Sequence, residues 1–355
     1  MAALLAAALA LAPGLARAQT EETEAALSRP ALTFRGFADV DFSVPWGDAS
    51  EDHNHFSLGQ LDLYATSRLT NSIGVLAETV LELDEQQQLV VDVERIQITY
   101  RRSDAFRLAV GRGHTALGYW NEAYHHGLLL QPTVERPEGL KFEDDGGLLP
   151  VHFVGAEVAG RAARDRWDLS YNLYVANGRG PIPDAVQGAA DANSNKAVGG
   201  KLSVSHQGPR SVTFGGIASR DRIPANPLAG SGASELDETI LGAHFVFTSR
   251  HAELLSEYFH IRHVQRTDGQ RFDNEAGYAL GVLNTGSFHP YAGIDWTRVA
   301  VGDPFYGPGY SSLTRVLAGL RWDVATFNAL KLEYQHDDRP VGTSQAIILQ
   351  SAFTF

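Results

Sequence analysis

From about residue 33 to the last residue the chain alternates apolar and polar positions with a period of two, so that each face of a strand meets its own solvent. In "TFRGFADVDFS", residues 33–43, Phe34, Gly36, Ala38, Val40 and Phe42 share one face, and Arg35, Asp39 and Asp41 share the other. In "FSLGQLDLYATSRL", residues 56–69, Gly59, Leu61, Leu63, Ala65 and Leu69 oppose Gln60, Asp62, Tyr64, Thr66 and Arg68. The pattern returns at 73–83, 91–100, 105–111, 150–160, 166–176, 197–206 and 211–219. It continues at 239–249, 252–261, 275–284, 287–297, 314–324, 327–336 and 344–355, which makes sixteen strands, counted to within two. The phase changes near Glu94 and Arg95, from Val91 and Val93 to Ile96 and Ile98, as a β-bulge requires.

The connections sort by length. Short ones (70–72, 101–104, 161–165, 207–210, 250–251, 285–286, 325–326) mostly alternate with long ones (44–55, 112–149, 177–196, 220–238, 262–274, 298–313), and 84–90 and 337–343 are of modest length. Short turns at one end and long loops at the other predict an all-β fold, a transmembrane antiparallel up-and-down β-barrel with periplasmic turns and external loops. Closing the sheet satisfies every backbone donor and acceptor within lipid, and the charged strand faces then look into water.

The first residues, "MAALLAAALALAPGLARAQT", form an apolar run too short to span a bilayer comfortably, ending in Ala16-Arg17-Ala18. Residues 1–18 are expected to be a signal peptide, 19–32 a short N-terminal segment, and 33–355 the barrel, with 112–149 its constriction or lid loop. A formal charge of −13 works against nucleic acid as a partner. The absence of cysteine excludes disulfides, Cys-ligated metals and a thiol nucleophile.

One stretch stands out for its chemistry. "GRGHTALGYWNEAYHHG", residues 111–127, places His114, His125 and His126 near Glu122, among Tyr119, Trp120 and Tyr124. Imidazole and carboxylate suit Zn, Cu or Fe, but adjacent histidines rarely converge on one ion, and the spacing is not that of a zinc protease helix. The alternative is a polar loop in or over a pore, released from the wall at Gly111 and Gly113 and held there by Trp120 and Tyr124. Along the strands, Arg35, Arg68, Arg95, Arg107 and Arg112 are candidates for one side of a lumen, and Asp39, Asp62, Glu78 and Glu82 for the other. Opposed rows of this kind set up a transverse field across a narrow waterway. Nucleotide-binding and hydrolase motifs are missing, so neither a cofactor nor an enzymatic activity is expected.

The leader, the amphipathic strands and the closing "AIILQSAFTF" ending in Phe355 resemble Gram-negative outer-membrane porins, including the broad group associated with phosphate-selective channels. In the last strand Ile347, Leu349, Phe353 and Phe355 form the outward row, with Gln350 and Thr354 inward. The resemblance implies location in the outer membrane, contact with its lipid and lipopolysaccharide, and recognition of the Phe355 strand by the barrel-insertion machinery. It also implies sixteen strands, a homotrimer, an infolded third external loop, and passive diffusion of small hydrophilic solutes or ions. Two other readings remain open, a binding or attachment barrel with a metal at the long loop, and an outer-membrane hydrolase with dispersed Ser and His.

Overall fold

In the computed structural model, which describes residues 31–48, 53–83, 88–124, 127–183, 191–226 and 234–355, sixteen strands close into one antiparallel barrel. In chain order they are β1 (Leu32–Trp46), β2 (His55–Arg68), β3 (Ile73–Leu83), β4 (Leu89–Ser103), β5 (Phe106–His114), β6 (His152–Arg164), β7 (Trp167–Asn177) and β8 (Lys196–His206). The second half comprises β9 (Arg210–Ile223), β10 (Leu236–Ser249), β11 (Ala252–Gln265), β12 (Arg271–Leu283), β13 (Phe288–Arg298), β14 (Leu313–Ala325), β15 (Asn328–Arg339) and β16 (Gly342–Thr354). Each strand pairs with its neighbours in sequence, and β1 pairs with β16 from Phe37↔Thr354 to Trp46↔Gln345. The proposed leader 1–18 lies outside the described residues.

Sixteen alternating segments thus become sixteen strands; the outer face is apolar, and the inner face is mostly polar, apart chiefly from β10–β13, where Ile240, Phe259, Ile261 and Tyr278 are buried in an apolar cluster with Leu117, Trp120 and Leu140. Phe56, Leu58, Ile96, Ile98, Leu241, Leu332, Ile347 and Leu349 are exposed on the outer surface. On the alternate positions Asp62, Glu78, Glu257, Lys331 and Gln350 are buried inside. Aromatic rings gather near both rims of the apolar band, with Trp167, Phe288 and Trp322 toward the short turns and Trp46 beside Tyr334 toward the long loops, where amphipathic rings favour the headgroup level.

Several strands run past their expected ends on the long-loop side. β9 extends to Ile223, β10 begins at Leu236, β11 reaches Gln265 and β12 begins at Arg271. The inward positions there, such as Ile223, Leu236, His263 and Phe272, stay buried, while the outward ones turn polar as the backbone ladder continues. Its polar margin is laced by Arg222 to Asp237 at 3.1 Å and Arg262 to Asp273 at 2.8 Å.

Two bulges turn inward side chains. Glu94 is the extra residue between the pairs Glu78↔Arg95 and Thr79↔Val93, where the phase change in the sequence lies. The other is absent from the sequence reading: the register shifts between Ala38↔Leu61 and Val40↔Leu58, leaving Gly59 and Gln60 opposite Asp39. A Cβ on Gly59 would sit 1.7 Å from an Asp39 carboxylate oxygen, so only glycine leaves that carboxylate its place.

Gly59→Val is therefore expected to destabilise the barrel by about 1–3 kcal/mol. Gly216→Val, where nothing lies within 4 Å of an added Cβ, is expected to be silent. Urea unfolding in detergent micelles checks both, and equal midpoints for the two variants would reject the steric account.

Candidate functional site: the infolded segment and the waterway beside it

The segment between β5 and β6 lies within the barrel. β5 continues through His114, so Arg112, Gly113 and His114 remain on the wall and the segment proper is 115–151 rather than 112–149. Gly111 and Gly113 do not release the chain, since they stay paired with Gly155 and Phe153 of β6. Gly111 instead takes a left-handed backbone, φ 132°, and a Cβ there would lie 2.0 Å from the Ile96 carbonyl oxygen.

The segment is attached chiefly through its backbone. Its short helix α1 (Trp120–Ala123) begins on the carboxylate of Glu257 in β11, which accepts from the N–H groups of Tyr119 at 2.6 Å and Trp120 at 2.7 Å. The Tyr278 hydroxyl donates to the same carboxylate at 3.0 Å. Trp120 is fully buried, its ring 4.9 Å from that of Tyr124 and 5.2 Å from that of Tyr278. Further along, Lys331 donates to the carbonyls of Leu128 and Thr133, and Arg321 to those of Leu129 and Gln131. Glu333 accepts from the Val134 N–H at 3.1 Å. Near the end of the segment, Arg179 and Tyr306 both donate to the Leu148 carbonyl, at 3.0 and 2.7 Å.

Charge pairs hold the middle. Arg315 grips Asp337 with two hydrogen bonds, at 2.7 and 2.8 Å, and reaches Glu135 at 3.2 Å. Glu138 contacts Lys141 at 3.1 Å and Arg339 at 2.7 Å. Burial pushes the Glu138 carboxyl up, but Lys141, Arg315 and Arg339 outweigh it and hold the group at about 2. The depressed value means that its stabilisation is complete above the ordinary carboxylate range and fades only as the pH falls toward 2.

These attachments occupy the β10–β16 side of the interior. Along β4–β8 they leave a water-accessible cavity of about 530 Å³. Arg95, Arg101, Arg107, Arg161 and Lys201 line it with Asp104, Glu122 and Glu157, five cations to three carboxylates. Gln97, Tyr171 and Asn172 add neutral polar surface, and Arg101, Ser103, Asp104 and Arg161 carry it toward the short-turn rim. Arg95 pairs with Glu78, Arg107 with Glu157, and Lys201 with Glu122, which also accepts from the Asn172 amide at 3.4 Å.

The residues singled out in the sequence are distributed as follows. Arg95, Arg107, His114 and Glu122 come together on the cavity. Trp120 packs behind α1. Arg112 is buried on the wall, its Nε donating to the Glu94 carbonyl at 3.2 Å. Arg35 and Arg68 are exposed at the short-turn rim, away from the infolded segment. Asp39, Asp62, Glu78 and Glu82 lie on β1–β3, next to Arg95 and Arg107 along one arc, so they do not form the opposed row expected from the sequence. All the strand residues proposed for the two rows come from the first five strands, and neighbouring strands cannot face each other across a sixteen-stranded barrel.

The ligand set weighed in the sequence, His114, His125 and His126 with Glu122, lies partly outside the described residues. His125 and His126 lie outside them, and Glu122 is engaged by Lys201. His114 stands instead opposite His152 of β6, the ring centroids 5.5 Å apart. Glu94, His114 and His152 bring one ligand atom each to within 4.8 Å of one another, as do Glu82, Asp92 and Asp144. Sequence reasoning missed Glu157, Lys201, Glu257, Arg321, Lys331 and Glu333. Each is a charged residue on a predicted strand, and the signal that identifies them is their parity, inward between outward apolar neighbours.

No protein-family model matches the chain, and no curated protein matches its sequence. Solved structures do match over nearly its whole length. A loop L8 deletion mutant of OmpT, an outer membrane protein of Vibrio cholerae, superposes with a TM-score of 0.60 at 14% identity, covering 92% of this chain and 99% of that one. An anion-selective porin from Comamonas acidovorans gives 0.60 at 13% identity, covering 92% and 100%. The outer membrane channel DcaP of Acinetobacter baumannii gives 0.60 at 12%, covering 92% and 98%. At these identities the likeness is one of fold, and the fold is the sixteen-stranded barrel of outer-membrane porins.

Proposed function

We propose that the protein is an outer-membrane porin through which small hydrophilic solutes and ions diffuse down their gradients, with a bias toward anions. The observation that carries this reading is the polar cavity of about 530 Å³ left between the infolded segment and the β4–β8 wall. Its lining has five cations to three carboxylates although the chain as a whole is acidic, and charge in a narrow waterway bordered by protein acts on ions at short range. The porin from Comamonas acidovorans is described as anion-selective, which accords with this bias. Segment 115–151 is the constriction, with Glu122 on Lys201 at its edge. Phe355, exposed at the end of β16, is the contact for the insertion machinery, and the apolar outer band meets lipid and lipopolysaccharide. A homotrimer is the assembly proposed.

Purified, refolded protein in planar bilayers is expected to give discrete channels, and a current no higher than background would reject the proposal. Replacing both Arg95 and Arg107 with Ala is expected to move the reversal potential toward cations under a salt gradient. An unchanged potential removes these residues from the selective passage. Glu257→Ala takes away the acceptor at the start of α1 and leaves buried N–H groups unpaired at about 1–3 kcal/mol each. The segment should loosen there and single-channel conductance should rise, whereas a wild-type conductance would show that 115–151 does not limit flow.

A further inference from the structure

Three neighbouring strands bring unlike donors to one point on the wall. The bulge in β4 turns the Glu94 carboxylate inward, and β5 and β6 end on the cross-strand pair His114↔His152. Glu94 and His152 are buried, and His114 reaches the edge of the wide cavity. We propose that Glu94, His114 and His152 form a binding site for a divalent transition-metal ion of the zinc class, open to the lumen through His114.

The donor chemistry selects this class. Two imidazoles and one carboxylate suit zinc, nickel or copper, while calcium and magnesium require oxygen donors throughout. The ligand atoms already lie within 4.8 Å of one another, so small side-chain movements bring them onto a common ion. Metal-bound histidines are generally oriented by a second partner on the other ring nitrogen. His152 has this arrangement, since Nε2 faces Glu94 while Nδ1 lies 3.6 Å from a carboxylate oxygen of Glu143. Glu143 is itself held by the N–H groups of Val151 at 2.6 Å and His152 at 3.3 Å. The Phe142 ring stacks on the imidazole at 5.9 Å and 6°, so the plane of His152 is set from its face as well as its edge.

The surroundings are electronegative. Glu82, Asp92, Glu94, Glu143, Asp144 and Asp145 share a cavity of about 10 Å³ with His152, against two nearby cations, Arg112 beside Asp92 and Glu94 and Arg136 over the Phe142 ring. This excess of carboxylates favours a divalent cation, and His114 places the site at the edge of the wide cavity. The assignment does not depend on the porin reading, because the donors converge whether or not solute passes beside them. The ion would tie β4, β5 and β6 together where the chain leaves and rejoins the wall.

The test uses tag-free full-length barrel, folded in detergent micelles and freed of metal with a chelator. Cobalt(II) is expected to give visible d–d absorption that saturates at one ion per barrel and is displaced by Zn²⁺ but not by Ca²⁺. His114→Gln, which leaves the His152–Glu143 contacts in place, should weaken Zn²⁺ binding in calorimetry by at least about ten-fold, and Glu94→Gln similarly. If the wild-type barrel shows no saturable cobalt band or zinc heat, the proposal is overturned, a result that needs no variant to fold. Unaltered zinc affinity in His114→Gln would overturn it equally.

Discussion

A backbone cannot enter hydrocarbon with unpaired N–H and C=O groups, and the pairing of β1 with β16 is where this chain meets that constraint. Ten residue pairs, Phe37↔Thr354 to Trp46↔Gln345, join the two ends of the chain and leave no open edge. Once the sheet is closed, the period of two decides the rest. One row of every strand faces lipid and must be apolar, and the other faces an enclosed space whose character the sequence is free to choose. Here the choice is mostly polar, apart from an apolar cluster around Trp120 against β10–β13, and the charged part of the interior is organised by how its charges find partners.

Those partners divide the interior into two regimes. On the β10–β16 side, wall side chains such as Glu257, Lys331, Arg321 and Glu333 are consumed by the backbone of segment 115–151. Glu257, Lys331 and Glu333 are buried and Arg321 is partly so, and a buried charge is tolerable only when it is hydrogen-bonded on most sides. Along β4–β8, Arg95 and Arg107 pair across adjacent strands with Glu78 and Glu157 and keep one flank in water, while Lys201 marks the border, reaching Glu122 and the Gly118 carbonyl of the segment. The same residue types thus serve as mortar on one arc and as a wet lining on the other. The difference lies in whether the infolded segment reaches them.

The sequence foretold the barrel because alternation is a local property that survives without knowledge of neighbours. The sixteen strands and the Glu94 bulge were readable for this reason. The Gly59 bulge was hidden, because glycine carries no side chain to mark a change of face. Strand ends were misplaced wherever the ladder outruns the lipid, as at Arg262 and Asp273. The site was less legible than the fold. His114 stood in a histidine-rich stretch and drew attention to His125 and His126. Its neighbour in space is His152, brought opposite by the register of β5 and β6, and register joins residues across 37 positions of intervening chain. Lys201 and Glu257 carried a parity signal, but only the closed barrel shows which arc they occupy.

The way segment 115–151 is fastened has an evolutionary corollary. Its wall contacts at Leu128, Leu129, Gln131, Thr133 and Leu148 are made to main-chain carbonyls, which every amino acid supplies. The wall thus fixes the path through atoms that do not depend on side-chain identity, although Leu129, Gln131, Thr133 and Leu148 are themselves buried against it, and the freedom to vary falls to exposed positions between them such as Leu130. Mutation can rewrite such exposed groups while the scaffold stays in place, so related barrels can diverge in what they admit without first solving their folding anew.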